Sequence, residues 1–171
     1  MIIGRENELK RIRKSLTSEY SEFIAVYGRR RVGKTFLIKE AFDYTFSFCH
    51  SGVAKGDKAL QLREFSNSLE LHGMKSRRKL KSWSDAFFAL ELGLERLPTG
   101  KKVVFLDELP WMDTARSDFV GALEHFWNGW CSLRKDIVLI VCGSATSWMI
   151  KKVLKNKGGL FNRANRVLCL K

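Results

Sequence analysis

Residues 28–35 read Gly28-Arg29-Arg30-Arg31-Val32-Gly33-Lys34-Thr35: two glycines five positions apart, then a lysine and a hydroxyl. That spacing suits a phosphate chain. Glycine lets the backbone fold back without a Cβ clash, so successive N–H groups can point into one concavity and hold an anion. A lysine at the end of such a loop reaches the terminal phosphates, and the hydroxyl after it can ligate Mg²⁺. The flanks agree. Phe23-Ile24-Ala25-Val26-Tyr27 is a short apolar run suited to a buried strand, and Phe36 to Phe42 carries apolar residues at helical spacing. Strand, loop and helix, in that order, is the setting this motif needs.

Val103-Val104-Phe105-Leu106-Asp107-Glu108 is four apolar residues followed by two acids, the Walker B arrangement. An aspartate at a strand tip can hold Mg²⁺, directly or through its waters, and an adjacent glutamate can polarise a water for attack on a γ-phosphate. Acids often end strands, so the pair alone says little. Downstream of a phosphate loop, with room for one strand between, Asp107 and Glu108 read as the second half of the site. The glutamate favours hydrolysis over transfer to a small molecule, which needs no water activator. A guanine site would want N-K-x-D, and Asn156-Lys157-Gly158-Gly159 lacks the aspartate, so ATP is the better nucleotide. Two weaker candidates remain. Ser144, at the tip of the run Ile137 to Cys142, could orient the lytic water or sense the γ-phosphate, or could cap the next helix. Arg163 could stabilise transition-state charge in cis or toward a neighbouring subunit, or belong to a solvated basic loop.

The elements that must position these residues follow from periodicity. Helices are expected from about Gly4 to Ser18, Lys34 to Phe42, Lys58 to Leu71, Ser82 toward Leu97, Ser117 to Trp130 and Ser147 to Leu154. Strands are expected at Phe23–Tyr27, Phe46–Cys49, Val103–Leu106, Ile137–Cys142 and Arg166–Leu170. Continuous apolar strands alternating with helices predict a doubly wound parallel α/β sheet, with ligand outside the carboxyl ends of its strands. Trp83, Trp127, Trp130 and Trp148 read as core, whereas Trp111, just after the acidic pair, could pack beside nucleotide or dock a partner.

Bulk composition bounds the rest. At 171 residues, 45% hydrophobic and 29% charged, the chain suits one domain with a real core. Its longest uncharged apolar run, Ile137 to Cys142, is far too short to span a bilayer, and the N-terminus lacks a signal peptide's order, so a soluble cytoplasmic protein is expected. Cys49, Cys131, Cys142 and Cys169 form no C-x-x-C pair, and His50, His72 and His125 lack metal-ligand spacing, which argues against a structural zinc. Formal charge is +13, with basic residues clustered at 10–14, 29–31, 75–81 and 151–157. Such a chain attracts polyanions at low salt, although surface helices and a nucleotide loop account for much of that charge.

Together these segments resemble the archaeal-type ATPases of the AAA+/STAND P-loop group, which are also common in anaerobic bacteria. Ile2-Ile3-Gly4-Arg5-Glu6-Asn7-Glu8-Leu9 is similar to the family's opening box, and the arginine-rich loop with Val26 and Tyr27 to its phosphate loop. Val104 to Met112, with its D-E-L-P-W string, resembles the family's Walker B segment, and Cys142 to Met149 with Gly159-Leu160-Phe161-Asn162-Arg163 its sensor region. The resemblance implies a three-layer core with strand order 5-1-4-3-2. It implies that Ile3, Gly4 and Arg5 lie near adenine, that Gly28 to Thr35 bind phosphate, that Thr35 and Asp107 hold Mg²⁺, and that Glu108 is the activator. Relatives continue into a helical lid and a winged helix; residues 1–171 are expected to be the ATPase core without them. Nucleic acid would then be met through those further domains, and a protein partner or a second copy is possible. Three readings stand: an ATP-hydrolysing switch, a nucleotide-binding scaffold without turnover, and a basic nucleic-acid-binding domain.

Overall fold

The computed structural model describes residues 3–155 and 163–171, so Asn156-Lys157-Gly158-Gly159 and Phe161-Asn162 lie outside the described residues. Five strands occur in chain order: β1 Glu22–Gly28, β2 Phe48–Ser51, β3 Lys102–Asp107, β4 Ile137–Gly143 and β5 Arg166–Leu170. Helices α1 Glu6–Arg13 and α2 Lys34–Ala41 precede β2, α3 Lys58–Leu71 and α4 Trp83–Glu95 precede β3, and α5 Phe119–Gly129 precedes β4. A last helix, α6 Thr146–Met149, widens into a π-turn over Ile150–Leu154 before β5.

All strand pairings are parallel, and the order β2-β3-β4-β1-β5 is the expected 5-1-4-3-2 read from the other edge. The order matters because β4 lies between the strands carrying the two motifs. Alternate residues of each central strand feed opposite faces. Phe23, Ala25, Val104, Leu106, Leu139 and Val141 face α3, α4 and α5. Ile24, Val26, Val103, Phe105, Val138 and Ile140 face α1 and α2. A sheet covered on both faces needs apolar residues at every position, which is why these strands read as unbroken runs. The α3–α5 face is built on rings: Trp83 meets Phe119 edge-on at 4.9 Å, and Phe87 stacks on Phe126 at 4.9 Å.

Two boundaries and one cap differ from expectation. Strand β2 lies two residues later than the Phe46–Cys49 run suggested. Phe46 instead packs on Phe105 with centroids 5.4 Å apart, and the strand continues until Ser51 pairs with Asp107. Helix α5 starts at Phe119 rather than Ser117, because Asp118 takes a left-handed conformation (φ 53) at its N-cap. Ser144 does not cap α6, whose N-cap is Ala145 with no side-chain bond to the helix amides. Core packing of the tryptophans holds in graded form: Trp83 and Trp127 are buried, while Trp130 and Trp148 are half-buried against the same cluster. Of the two cysteines on strands β4 and β2, Cys142 is buried and Cys49 only partly so.

The edge where strands begin is pinned by charge. Lys102 Nζ lies 2.8 Å from Asp136 Oδ2, and Arg134 grips the same carboxylate through two hydrogen bonds of 2.9 and 2.8 Å. These bonds, first that from Arg134 and then that from Lys102, outweigh desolvation and hold the Asp136 carboxyl well below the usual carboxylate range. A depressed pKa adds stability that is present above the unfolded value of about 3.9 and is lost as pH falls below it. Asp136→Asn should therefore cost about 1–3 kcal/mol near pH 7, because it leaves the buried Lys102 without its counter-charge. Urea titrations should show the wild-type advantage shrinking below about pH 4. Equal stability of the two proteins at pH 7 would show that the carboxylate does not pin this edge.

Candidate functional site

The carboxyl ends of β1, β3 and β4 form one edge, and the motif residues meet there. β1 ends at Gly28 and the chain turns through 29–33 into α2, with Arg31 (φ 65) and Gly33 (φ 81) left-handed. Gly28 itself (φ 148) lies so close to β5 that a Cβ would collide with the Leu170 carbonyl. Gly33 stands at the N-cap of α2 with no side chain bonding the helix amides. Those amides, with the positive end of the helix dipole, face the loop's concavity and suit an anion.

Lys34 is buried, and its Nζ donates to the Gly28 carbonyl at 3.0 Å and to the Arg29 carbonyl at 2.6 Å. The ammonium therefore lies across the mouth of the loop. Thr35, one residue on, donates from Oγ1 to Asp107 Oδ2 at 2.7 Å. This bond joins residues 72 positions apart, one in the first turn of α2, which follows β1, and one at the tip of β3, with β4 between those two strands. Asp107 Oδ1 accepts the Glu108 N–H at 2.8 Å, which fixes the carboxylate's orientation. Glu108 takes a left-handed conformation (φ 49, ψ 41) and is half-buried. Such a conformation in a non-glycine residue is a local cost that the surroundings must enforce. Here Gly52 N–H donates to the Asp107 carbonyl at 3.0 Å, and a Cβ on Gly52 would meet the Glu108 carbonyl at 2.5 Å. Gly52 is a position that motif reading passed over. Its signal was a glycine directly after a strand beside the acidic pair.

A hydroxyl and a carboxylate oxygen 2.7 Å apart are hard donors of the kind Mg²⁺ prefers, and phosphate and water oxygens would complete an octahedral set. The chain's own donors thus fit that ion. No group of three or more His, Cys, Asp or Glu side chains that could hold a metal gathers among the described residues, here or elsewhere.

The remaining candidates divide. Ser144 follows β4, whose Gly143 is opposite Tyr27 of β1, so it stands on the same edge, half-buried. Gly143 keeps that approach open, since a Cβ there would press on Pro110 at 2.8 Å. Arg5 reaches the Lys171 carbonyl at 3.3 Å, just past the β5 residue that pairs with Gly28. Ile3 and Gly4 are exposed beside it, so the opening box reaches the phosphate-loop edge. Arg163 goes elsewhere. It precedes β5 close to Asn165, whose N–H bonds the Phe23 carbonyl, so it lies at the edge where strands begin. Seven residues of β1, or about 20 Å, separate that edge from the loop, too far for an arginine of the same chain. The cis reading of Arg163 is thus corrected. Arg166 is engaged with Glu22 at 3.3 Å and with the Arg11 carbonyl. Trp111 is half-buried in the turn after Glu108, and Trp148 ties that turn to α6 through a 2.9 Å bond to Asp113.

Residues 2–170 match the family of ATPase domains found predominantly in Archaea. The chain belongs to that family. An uncharacterised protein of Methanocaldococcus jannaschii is 28% identical over all 171 residues, which span 36% of its length. Among solved structures, the Walker-type ATPase of Pyrococcus abyssi is similar over 99% of this chain and 54% of its own (TM-score 0.67, 20% identity). Cdc6p of Pyrobaculum aerophilum is similar over 99% of this chain and 46% of its own (TM-score 0.66, 16% identity). The chain thus spans about a third to a half of these three proteins. This ATPase domain carries the nucleotide-binding fold of those neighbours. No helix among its described residues is long and apolar enough to cross a membrane.

The geometry also sets thiol chemistry at the site. Cys142, on β4 beside Asp107, is fully buried, and desolvation first, then the Asp107 charge, pushes its thiol well above the ordinary range. Burial likewise raises Cys131. With 5,5′-dithiobis(2-nitrobenzoate) at pH 8, the exposed Cys169 should react fast, and Cys131 and Cys142 only on unfolding. Rapid labelling of Cys142 in the folded protein would show that the strand tip is open rather than packed.

Proposed function

We propose that residues 1–171 form one ATPase core that hydrolyses ATP with Mg²⁺ and uses the bound nucleotide to set the conformation of its surrounding loops. The Thr35–Asp107 bond carries this reading, because it brings the metal-ligating members of both motifs to one point. Backbone amides of residues 28–33, helped by Arg29, Arg30, Arg31 and Val32 around the loop, take the phosphate chain. Lys34 leaves its two carbonyls for the terminal phosphates. Mg²⁺, held by Thr35 and Asp107, would neutralise charge on the β- and γ-phosphate oxygens. Glu108 accepts a proton from the attacking water while that water's oxygen bonds the γ-phosphorus and ADP leaves, so ATP and water give ADP and phosphate. Ser144 orients that water, and Ile3, Gly4 and Arg5 flank the adenine. Arg163, exposed and on the far edge, serves only a neighbouring copy, which makes a homo-oligomer the assembly to look for. The cytoplasm, where ATP is abundant, is the fitting compartment.

Lys34→Ala should abolish ATP binding measured by calorimetry. Glu108→Gln should bind ATP as wild type does yet release phosphate about 10²–10⁴-fold more slowly. Equal phosphate release by wild type and Glu108→Gln would remove the glutamate from its role.

A further inference from the structure

Three of the basic clusters have local work. Arg11 and Arg13 bond the Val167, Ala41 and Glu40 carbonyls, so the first cluster ties α1 to β5 and α2. Arg29 to Arg31 line the phosphate loop, and residues 151–155 belong to the π-turned end of α6. The cluster at 75–81 has no such task. It lies in the loop between α3 and α4, which runs back along the outer face of α4. Loop and helix enclose a groove of about 1130 Å³ whose lining includes Lys75, Arg77, Arg78, Lys79, Lys81 and Arg96. None of the six makes an ion pair among the described residues. The only acid in the lining, Asp85, already accepts the Lys81 N–H at 3.0 Å.

The groove does not end there. Lys79, Leu80 and Lys81 also line a second one of about 1090 Å³, to which Lys55, Lys58 and Arg63 contribute. Its acid, Asp57, is occupied as the N-cap of α3, accepting the Leu60 N–H at 2.9 Å. The result is one continuous cationic track. Its floor is not purely polar, because Phe88 and Leu92 line the first groove while 59% and 41% exposed. Cations in a row with an accessible aromatic face match a ligand that repeats both anion and flat ring.

We infer that this track binds single-stranded nucleic acid, with phosphates along the 75–81 loop and a base stacked on Phe88. An acidic protein segment would satisfy the charge but has no use for the exposed ring, and a duplex keeps its bases from it. Base stacking on an aromatic side chain is worth enough to see, and backbone contacts add a salt-dependent term. The face is separate from the nucleotide pocket, since none of its lining residues belongs to the phosphate loop or the Asp107–Glu108 pair.

Fluorescence anisotropy of a labelled 20-mer of thymidylate, without ATP, tests this. Wild type should bind at 50 mM salt. Arg77→Ala/Arg78→Ala/Lys79→Ala should lower the slope of log K against log[salt] by about 2, at about 0.7 per lost phosphate contact. Phe88→Ala should weaken binding about 5- to 150-fold and leave the slope unchanged. All four side chains are exposed, so circular dichroism should be unaltered. Lys34→Ala should bind the oligomer like wild type, so failure of the ATPase reading leaves this one intact. Lys10→Ala/Lys14→Ala, which removes charge from another face, should change little. The inference is overturned if the oligomer does not bind at low salt. It is also overturned if the loop triple variant matches wild type, or if polyglutamate or duplex competes as well as the 20-mer and Phe88→Ala has no effect.

Discussion

One hydrogen bond, from the Thr35 hydroxyl to the Asp107 carboxylate, measures whether this fold has done its task. Thr35 opens α2 and Asp107 ends β3, so the two belong to different elements and different motifs, and nothing in chain proximity brings them together. Parallel pairing does. β1 and β3 are both hydrogen-bonded to β4 with their carboxyl ends at one edge, so the loop after β1 and the acid ending β3 converge over the tip of the strand between them. A slip of one residue in the β3–β4 pairing would turn Asp107 to the other face of the sheet, and one in the β1–β4 pairing would carry the phosphate loop out of line with it. The register is therefore part of the site, and the apolar faces that hold the register are indirectly what place the metal ligands.

Close packing explains why the edge is so rich in glycine. Gly28 touches β5, Gly52 touches the carbonyl of Glu108, and Gly143 touches Pro110. At Gly28 and Gly52 the missing Cβ lets backbone approach a neighbouring carbonyl, and at Gly143 it makes room for the Pro110 ring and the Met149 side chain. The left-handed Arg31 and Glu108 show the complementary cost: residues kept for their side chains accept a backbone that glycine would take more easily.

Much of this was legible in the chain because parallel strands buried on both faces leave an unmistakable apolar run, as at Ile137–Gly143 and Lys102–Asp107. Glycine-lysine-threonine after one run and aspartate-glutamate after another then locate the edge. What escaped sequence reading was tertiary. Phe46 looks like a strand residue, yet β2 runs from Phe48 to Ser51: Phe46 packs on Phe105 ahead of the strand, and the pairing extends to Ser51 opposite Asp107. Arg163 read as a candidate because an arginine just before the last strand could stabilise transition-state charge, in cis or toward a neighbouring subunit. Only the parallel pairing of β5 with β1 puts the start of that strand at the far edge. Gly52 carries no motif, and its role emerges from a contact with the Glu108 carbonyl.

Charge is divided between the two edges of the sheet in a way that favours a ligand. Lys102, Arg134, Asp136, Arg166 and Glu22 satisfy one another where strands begin. Where strands end, no ion pair among the described residues involves the phosphate loop or the acidic pair. Arg29, Arg30, Arg31 and Lys34 outnumber Asp107 and Glu108, so that edge carries surplus positive charge around amides already polarised by α2. A stability-driven arrangement would pair these groups as the other edge does. Leaving them unpaired raises the potential over the loop, and a triphosphate with its metal is an anion able to lower it. The same asymmetry explains why Lys34 rests on carbonyl oxygens rather than on a carboxylate: neutral acceptors hold the ammonium in place and yield it at low cost when phosphate oxygens arrive.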